Sequence, residues 1–341
     1  MGRRASFVIR ENGKDRFLVD RYAGGDVVSS LLHGLDSAMN MIDWGSDVIS
    51  IMDEVWGEAG VILDYDAQVL LFWGSDYLMS ETPLIPYLLD LMKTTRWVGW
   101  DVRWAKWGML SMAEYLGKPR SSVCKPFQLS TEELSSEERR KNRLDRWLKG
   151  ENYYNELGTI ITHRNLKGEF LDYTTVNFID DTLRLGKDIF LILQNKETSP
   201  LPREIYFDDS THVNNYVYIN KCLYIDEIDR TIHVFWGYPL SNNCLFYELH
   251  RYWLDWQIKW QYKGYAGHLK LTKRENNDLL VSREEAINNL LKIFSDPLIR
   301  GINSKHDQND SVNVEHIREW EKDLESLEKI KQEYLMKNKM S

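Results

Sequence analysis

The sequence predicts an α+β protein built from an internally duplicated unit. Each unit is a mainly antiparallel sheet with helices on one face, and a helical linker and a C-terminal helix complete the chain. Three observations predict it. Two tryptophan-rich blocks recur in the same order. Matching hairpin signals recur ahead of them. The apolar period alternates between two and a helical repeat along each copy.

The duplication rests on named matches. Asp64–Gly74 aligns with Glu227–Gly237, with identity at Asp66/Asp229, Phe72/Phe235, Trp73/Trp236 and Gly74/Gly237. Trp97, Trp100 and Trp104 align with Trp253, Trp256 and Trp260, Val102 with Ile258, Arg103 with Lys259, and Gly108 with Gly264. Upstream, Phe7-Val8-Ile9, Asn12, Lys14 and Phe17-Leu18 align with Ile160-Ile161-Thr162, Asn165, Lys167 and Phe170-Leu171. The expected organisation is a first repeat over 1–117, a helical linker over 118–156, a second repeat over 157–294, and a loop and C-terminal amphipathic helix over 295–341.

Each element has its own signal. Phe7 to Val19 reads as a hairpin, because Asn12-Gly13 supplies the positive φ that tight hairpins need. Val27, Leu31, Leu35, Met39 and Ile42 form a helical stripe. Gly60 to Gly74 is a second hairpin turning at Asp64–Gln68, and Leu84, Tyr87, Leu88 and Leu91 mark a short helix. Val98, Trp100, Val102 and Trp104 alternate as a strand does, and so do Leu254, Trp256, Ile258 and Trp260. A short helix ends each copy, and Ser282-Arg283-Glu284-Glu285 opens the second of these with a capping box. A solvated helix is expected near 131–149, where acids precede bases as the helix dipole favours. Residues 295–310 read as a flexible loop. Beyond it, Ile317, Trp320, Leu324, Leu327 and Tyr334 form a stripe that docks on the body or oligomerises the chain.

Composition limits the function. The 341 residues carry 43 Lys and Arg against 52 Asp and Glu, a net charge of -9 that disfavours nucleic acid and anionic membranes. No apolar run is long enough to span a bilayer. Cys124, Cys222 and Cys244 have neither disulfide nor zinc spacing, so the expected setting is cytoplasmic. No cofactor or metal is implied. No phosphate loop, nucleophile elbow, paired-His zinc helix or dinucleotide fingerprint is present.

Asp64 and Asp66 have a spacing that a divalent cation accepts, but aspartate is also a favoured turn residue, and the turn is the expected role. His163, His212, His233 and His250 fall in the second copy, with Arg10 aligned to His163 and Leu70 to His233. Cys222 or Cys244 with a histidine would make a nucleophile and base, but nothing fixes their geometry. Trp100, Trp104, Trp256 and Trp260 are expected in the core. Trp97 and Trp253 are expected on the opposite, partly exposed face beside Arg103 and Lys259. These four residues are the candidate partner-binding positions, since tryptophan beside arginine is typical of protein interfaces.

Leu70–Gly74 followed by Trp97, Trp100, Val102, Trp104 and Ala105 resembles a family of uncharacterised bacterial proteins. The resemblance implies a bacterial or phage source and assigns no functional residue. The expected function is non-enzymatic protein interaction with a basic partner, as an immunity, antitoxin or defence-system component. The rival expectation is a hydrolase-type enzyme with a site between the two repeats.

Overall fold

The computed structural model describes residues 3–53, 56–74, 84–123, 159–175, 179–202, 205–208, 215–218, 221–236, 252–261, 264–275, 280–307 and 314–339, with 141, 144, 145 and 249. The linker helix expected near 131–149 lies almost wholly outside these residues; Lys141, Leu144 and Asp145 are helical. His212, His250, Cys124 and Cys244 also lie outside.

The first unit opens with β1 (Ala5–Glu11) and β2 (Lys14–Asp20), turned by Asn12 and Gly13 at φ 52° and 71°. The stripe that follows is two helices, α1 (Val27–Leu32) and α2 (Leu35–Ile42), because Gly34 between them takes φ 103°. Next come β3 (Ser46–Val48), β4 (Ala59–Asp64), β5 (Val69–Trp73), α3 (Ile85–Thr94), β6 (Asp101–Trp104) and α4 (Met109–Tyr115). The sheet order is β3-β2-β1-β4-β5-β6. Its hairpins are antiparallel, while the β1–β4 and β5–β6 joints are parallel, so the sheet is mixed. Every residue of β4 and β5 is buried, so both faces of these strands are covered.

The packing shows what covers them. A Cβ added at Gly60 would clash with Met112 of α4. A Cβ at Gly45, just past α2, would crowd Ile42 C=O and Leu18 and touch Phe7. Phe7 pairs with Val61, the neighbour of Gly60 on the opposite face. Helix α4 packs over β4 through Met112, and α1 also packs against β4.

Two long helices, α8 (Arg283–Asp307) and α9 (Val314–Lys339), complete the first unit and pack against α3 and each other. The Ser282 hydroxyl accepts the Glu285 N–H at 3.2 Å, the bond a capping box predicts. That helix, however, belongs with the first unit rather than ending the second. It also runs through Pro297, so residues 295–307 are helix where a loop was expected. The proline is a local stop signal, and packing along α9 overrides it. Leu327, Ile330 and Tyr334 bury the α9 stripe within this unit. Asp90 accepts from both Arg283 and Tyr334, and Arg96 bonds Glu333 at 2.8 Å, which ties both helices to the α3 end of the body.

The second unit repeats the plan. It runs β7 (Thr159–Arg164), β8 (Phe170–Thr175), α5 (Ile179–Arg184), α6 (Ile189–Leu193), β11 (Lys221–Asp226), β12 (Thr231–Trp236), β13 (Gln257–Gln261) and α7 (Gly264–Leu271). An added hairpin, β9 (Ile205–Asp208) and β10 (Asn215–Tyr218), pairs only with itself among the described strands. The sheet order is β13-β12-β11-β7-β8, again with parallel β7–β11 and β12–β13 joints. Helix α7, not the one opened by Ser282, is the counterpart of α4. Gly108 and Gly264, which open the two helices, share φ 54°.

Register corrects the alignment of the hairpins by one residue. Arg10 lies across from Asp64, and Arg164 across from Asp226. Trp73 pairs with Gly60, and Phe235 with Cys222. The counterpart of Asp64 is thus Asp226, that of Trp73 is Phe235, and that of Arg10 is Arg164. Matching Phe-Trp-Gly to Phe-Trp-Gly slipped the strand by one residue, which would put every side chain on the wrong face. The Trp block needs no shift, since Val69 faces Asp101 as Thr231 faces Gln257.

Candidate functional site

The Trp blocks occupy equivalent places. In each unit a tight turn precedes the edge strand: Trp100 N–H donates to Trp97 C=O at 3.0 Å, and Trp256 N–H to Trp253 C=O at 3.1 Å. Gly99 and Asp255 hold the positive φ this turn needs, at 86° and 68°. The expected exposure of Trp97 and Trp253 is corrected, since both are 1% exposed. Each indole N–H donates to a helix carbonyl, Trp97 to Leu31 at 2.7 Å and Trp253 to Leu183 at 2.8 Å. Each also packs edge-on against the next tryptophan, Trp100 or Trp256. They are anchors for the turn and not contact residues.

The turn tips are what the chain displays. Val98 and Leu254 are equivalent, and each is 64% exposed. Downstream, Arg103 and Lys259 project from β6 and β13 and are exposed. Arg103 is held by Asp101 at 2.6 Å. β6 and β13 are terminal in their sheets, and no described strand pairs with their outer sides. Among the described residues, each unit therefore presents an unpaired strand edge with an apolar tip and a cation. The Trp-Arg pattern points to this element but names its buried anchor instead of its exposed tip.

Asp64 and Asp66 build turns. Asp64 is buried and accepts Ala67 N–H at 2.8 Å and the Tyr115 hydroxyl at 2.7 Å. Burial, with help from that bond, pushes Tyr115 up to about 12. Asp66 accepts the N–H groups of Asn12 and Gly13 at 2.8 and 2.7 Å, tying one hairpin turn to the other. In the second unit Asp226 takes the first role. It accepts Ile228 and Asp229 N–H, and its hydroxyl donor is Tyr224 on its own strand. Burial alone would raise the Asp226 carboxyl, but Tyr224, Asp229 N–H and Arg164 hold it below the usual range. Among the described residues, no cluster of three or more His, Cys, Asp or Glu is placed to hold a metal ion. Asp66→Asn keeps one acceptor oxygen and should cost only about 1 kcal/mol in urea unfolding, with binding function unchanged.

The His-rich second unit holds a buried polar network that the first unit lacks. Thr162 Oγ1 lies 2.8 Å from both Asp172 Oδ1 and His268 Nε2. Arg274 pairs with the same carboxylate. By register the counterparts of Thr162, Asp172 and His233 are Val8, Phe17 and Leu71. Met112 stands where His268 does, by the same count from the helix-opening glycines. His268 escaped the sequence reading because it sits in α7, away from the strand histidines. Its only signal was the Met-to-His exchange between copies.

The proton order in this network is not that of a nucleophile and base. A carboxylate only accepts, so Thr162 O–H donates to Asp172, and His268 must donate its Nε2–H to Thr162. Thr162 is thus not activated, and His268 Nδ1 is buried without a partner. Cys222 is buried beside Tyr265 and Leu269 in the same core. His163 bonds Glu227 at 2.6 Å.

Burial, with His233 adding to it, pushes His268 down to about 3. Burial, with Lys259 adding to it, pushes His233 down to about 4. Both imidazoles are neutral in the folded chain. Their contribution to stability is present above the ordinary value of 6.5 and is lost as pH falls toward 4 and 3, because only the unfolded chain takes up the protons. Melting followed by circular dichroism should therefore drop steeply in that window, and His268→Met should flatten the drop.

No helix among the described residues is long and apolar enough to cross a membrane. Compared with family models, curated proteins and solved structures, the chain matches none of them.

Proposed function

We propose that the protein is a non-enzymatic protein-interaction module, acting in toxin immunity or in a defence system of a bacterium or phage, and that the β6 and β13 edges carry the contact. The observation that supports this reading is a contrast between the copies. Buried positions have diverged, as at Val8/Thr162 and Met112/His268, although burial ordinarily constrains residue type. The exposed apolar tip and the cation on the strand recur in both copies, where no packing requires them. A net charge of -9 favours a basic partner.

The test places a photo-crosslinking residue at Val98, at Leu254 and, as a control, at the exposed loop residue Leu166, in the native host. The reading expects one and the same protein adduct from 98 and 254 and none from 166. Adducts that do not distinguish the three positions, or none at all, overturn it.

A further inference from the structure

The opposite edge of the first sheet has a different chemistry. β3 is the outermost strand there and, among the described strands, pairs only with β2, through Phe17–Val48, Leu18–Asp47 and Val19–Ser46. Its three residues are all exposed. The flanking Trp44 and Ile49 are 84% and 97% exposed, which no internal packing explains. An edge strand with unpaired backbone and apolar side chains on show invites another strand.

Charge decides what kind of strand. Residues 34–92 contain eleven Asp and Glu and no Lys, Arg or His. Of these, Asp43 and Asp53 flank β3 in the sequence and Asp47 lies in it. Asp47 is exposed and held by Arg16 at 2.8 Å, and Asp43 is exposed at the start of the same turn. Asp47 shares the face of Leu18, and Val48 that of Phe17. A strand laid along β3 would meet Asp47, with Arg16 beside it, on one face and Val48 on the other, with Asp43 and the Trp44 ring close in sequence for a cation. A second copy fits poorly. Antiparallel pairing about Asp47 would set two aspartates opposite each other, between chains of charge -9.

We infer that β3 accepts an extended segment of a partner protein, alternating basic and apolar residues, as an added strand. This deepens the reading of a basic protein partner by giving it a docking strand distinct from β6 and β13.

The test uses the full chain and a fluorescent, end-blocked peptide of alternating lysine and valine. Controls replace lysine by glutamate, or N-methylate alternate amides so that the backbone cannot pair. The lysine peptide should bind, and the glutamate peptide should not. N-methylation, or the paired change Asp43→Lys with Asp47→Lys, should weaken binding about tenfold or more. Both substituted sites are exposed, and an unchanged thermal melt checks that the variant folds. Equal binding of the N-methylated peptide, equal binding to the variant, or no binding at all overturns the inference. Self-association of the protein alone that is lost in the variant would assign the edge to a second copy instead. Crosslinks from 98 and 254 do not depend on this edge, so the two readings fail separately.

Discussion

Replacing Trp97 or Trp253 by alanine should cost about 4 kcal/mol, the usual loss for a fully buried large aromatic. Each ring is buried, and each indole N–H donates to a helix carbonyl, Leu31 or Leu183; Leu31 C=O also accepts Gly34 N–H at 3.1 Å. The cost has two parts, a cavity and a lost hydrogen bond. Phenylalanine at either position separates them. It keeps most of the volume and forfeits the N–H, and should cost about 1–3 kcal/mol. A loss of that size for a turn anchor would also loosen the Trp97–Trp100 and Trp253–Trp256 turns that present Val98 and Leu254. Urea unfolding of the alanine variants checks this. A loss below about 1 kcal/mol would show that the rings are not core.

The second large effect is expected in the buried network of the second unit. Thr162→Val alone should cost about 2–3 kcal/mol, because it leaves the His268 N–H without an acceptor and strips a donor from Asp172. Exchanging all three residues for their first-unit counterparts, Thr162→Val, Asp172→Phe and His268→Met, removes these three polar groups together and leaves Arg274 donating to Phe170 C=O at 3.0 Å. That triple variant should unfold within about 1 kcal/mol of the parent, as apolar replacements of buried polar networks commonly do. The non-additivity is the prediction. If the triple loss equals the sum of the single losses, the three residues do not act as one network.

The plan of the fold was legible because its repeats carry long-range order. The Asn12-Gly13 turn has a local cause and appears where expected, and the Trp blocks take equivalent places in the two units, but Val98–Trp100 and Leu254–Trp256 are turn where strand was expected, and strand begins only at Asp101 and Gln257. Three features were not legible. β3 has only three residues, too few to show a period. Pro297 argues locally for a break that packing on α9 overrides. Hairpin register depends on which residue caps the turn, and Asp226 does so while the more similar-looking Glu227 bonds His163. The candidate site was half legible. Arg103 and Lys259 are exposed as expected, but an indole needs a partner for its N–H, and both Trp97 and Trp253 found theirs inside. The exposed neighbour of each carried the signal.

On the proposed reading the β6 and β13 edges, and not a buried polar cluster, carry the partner contact. The most direct measurement compares the double variant Val98→Asp, Leu254→Asp with His268→Met in the native host, scoring partner binding by the crosslinked species together with thermal melting. Both altered tips are exposed, so the double variant should melt with the parent and lose the partner, while His268→Met should keep it. Partner binding that survives the double variant and disappears with His268→Met, at unchanged melting, would contradict the account.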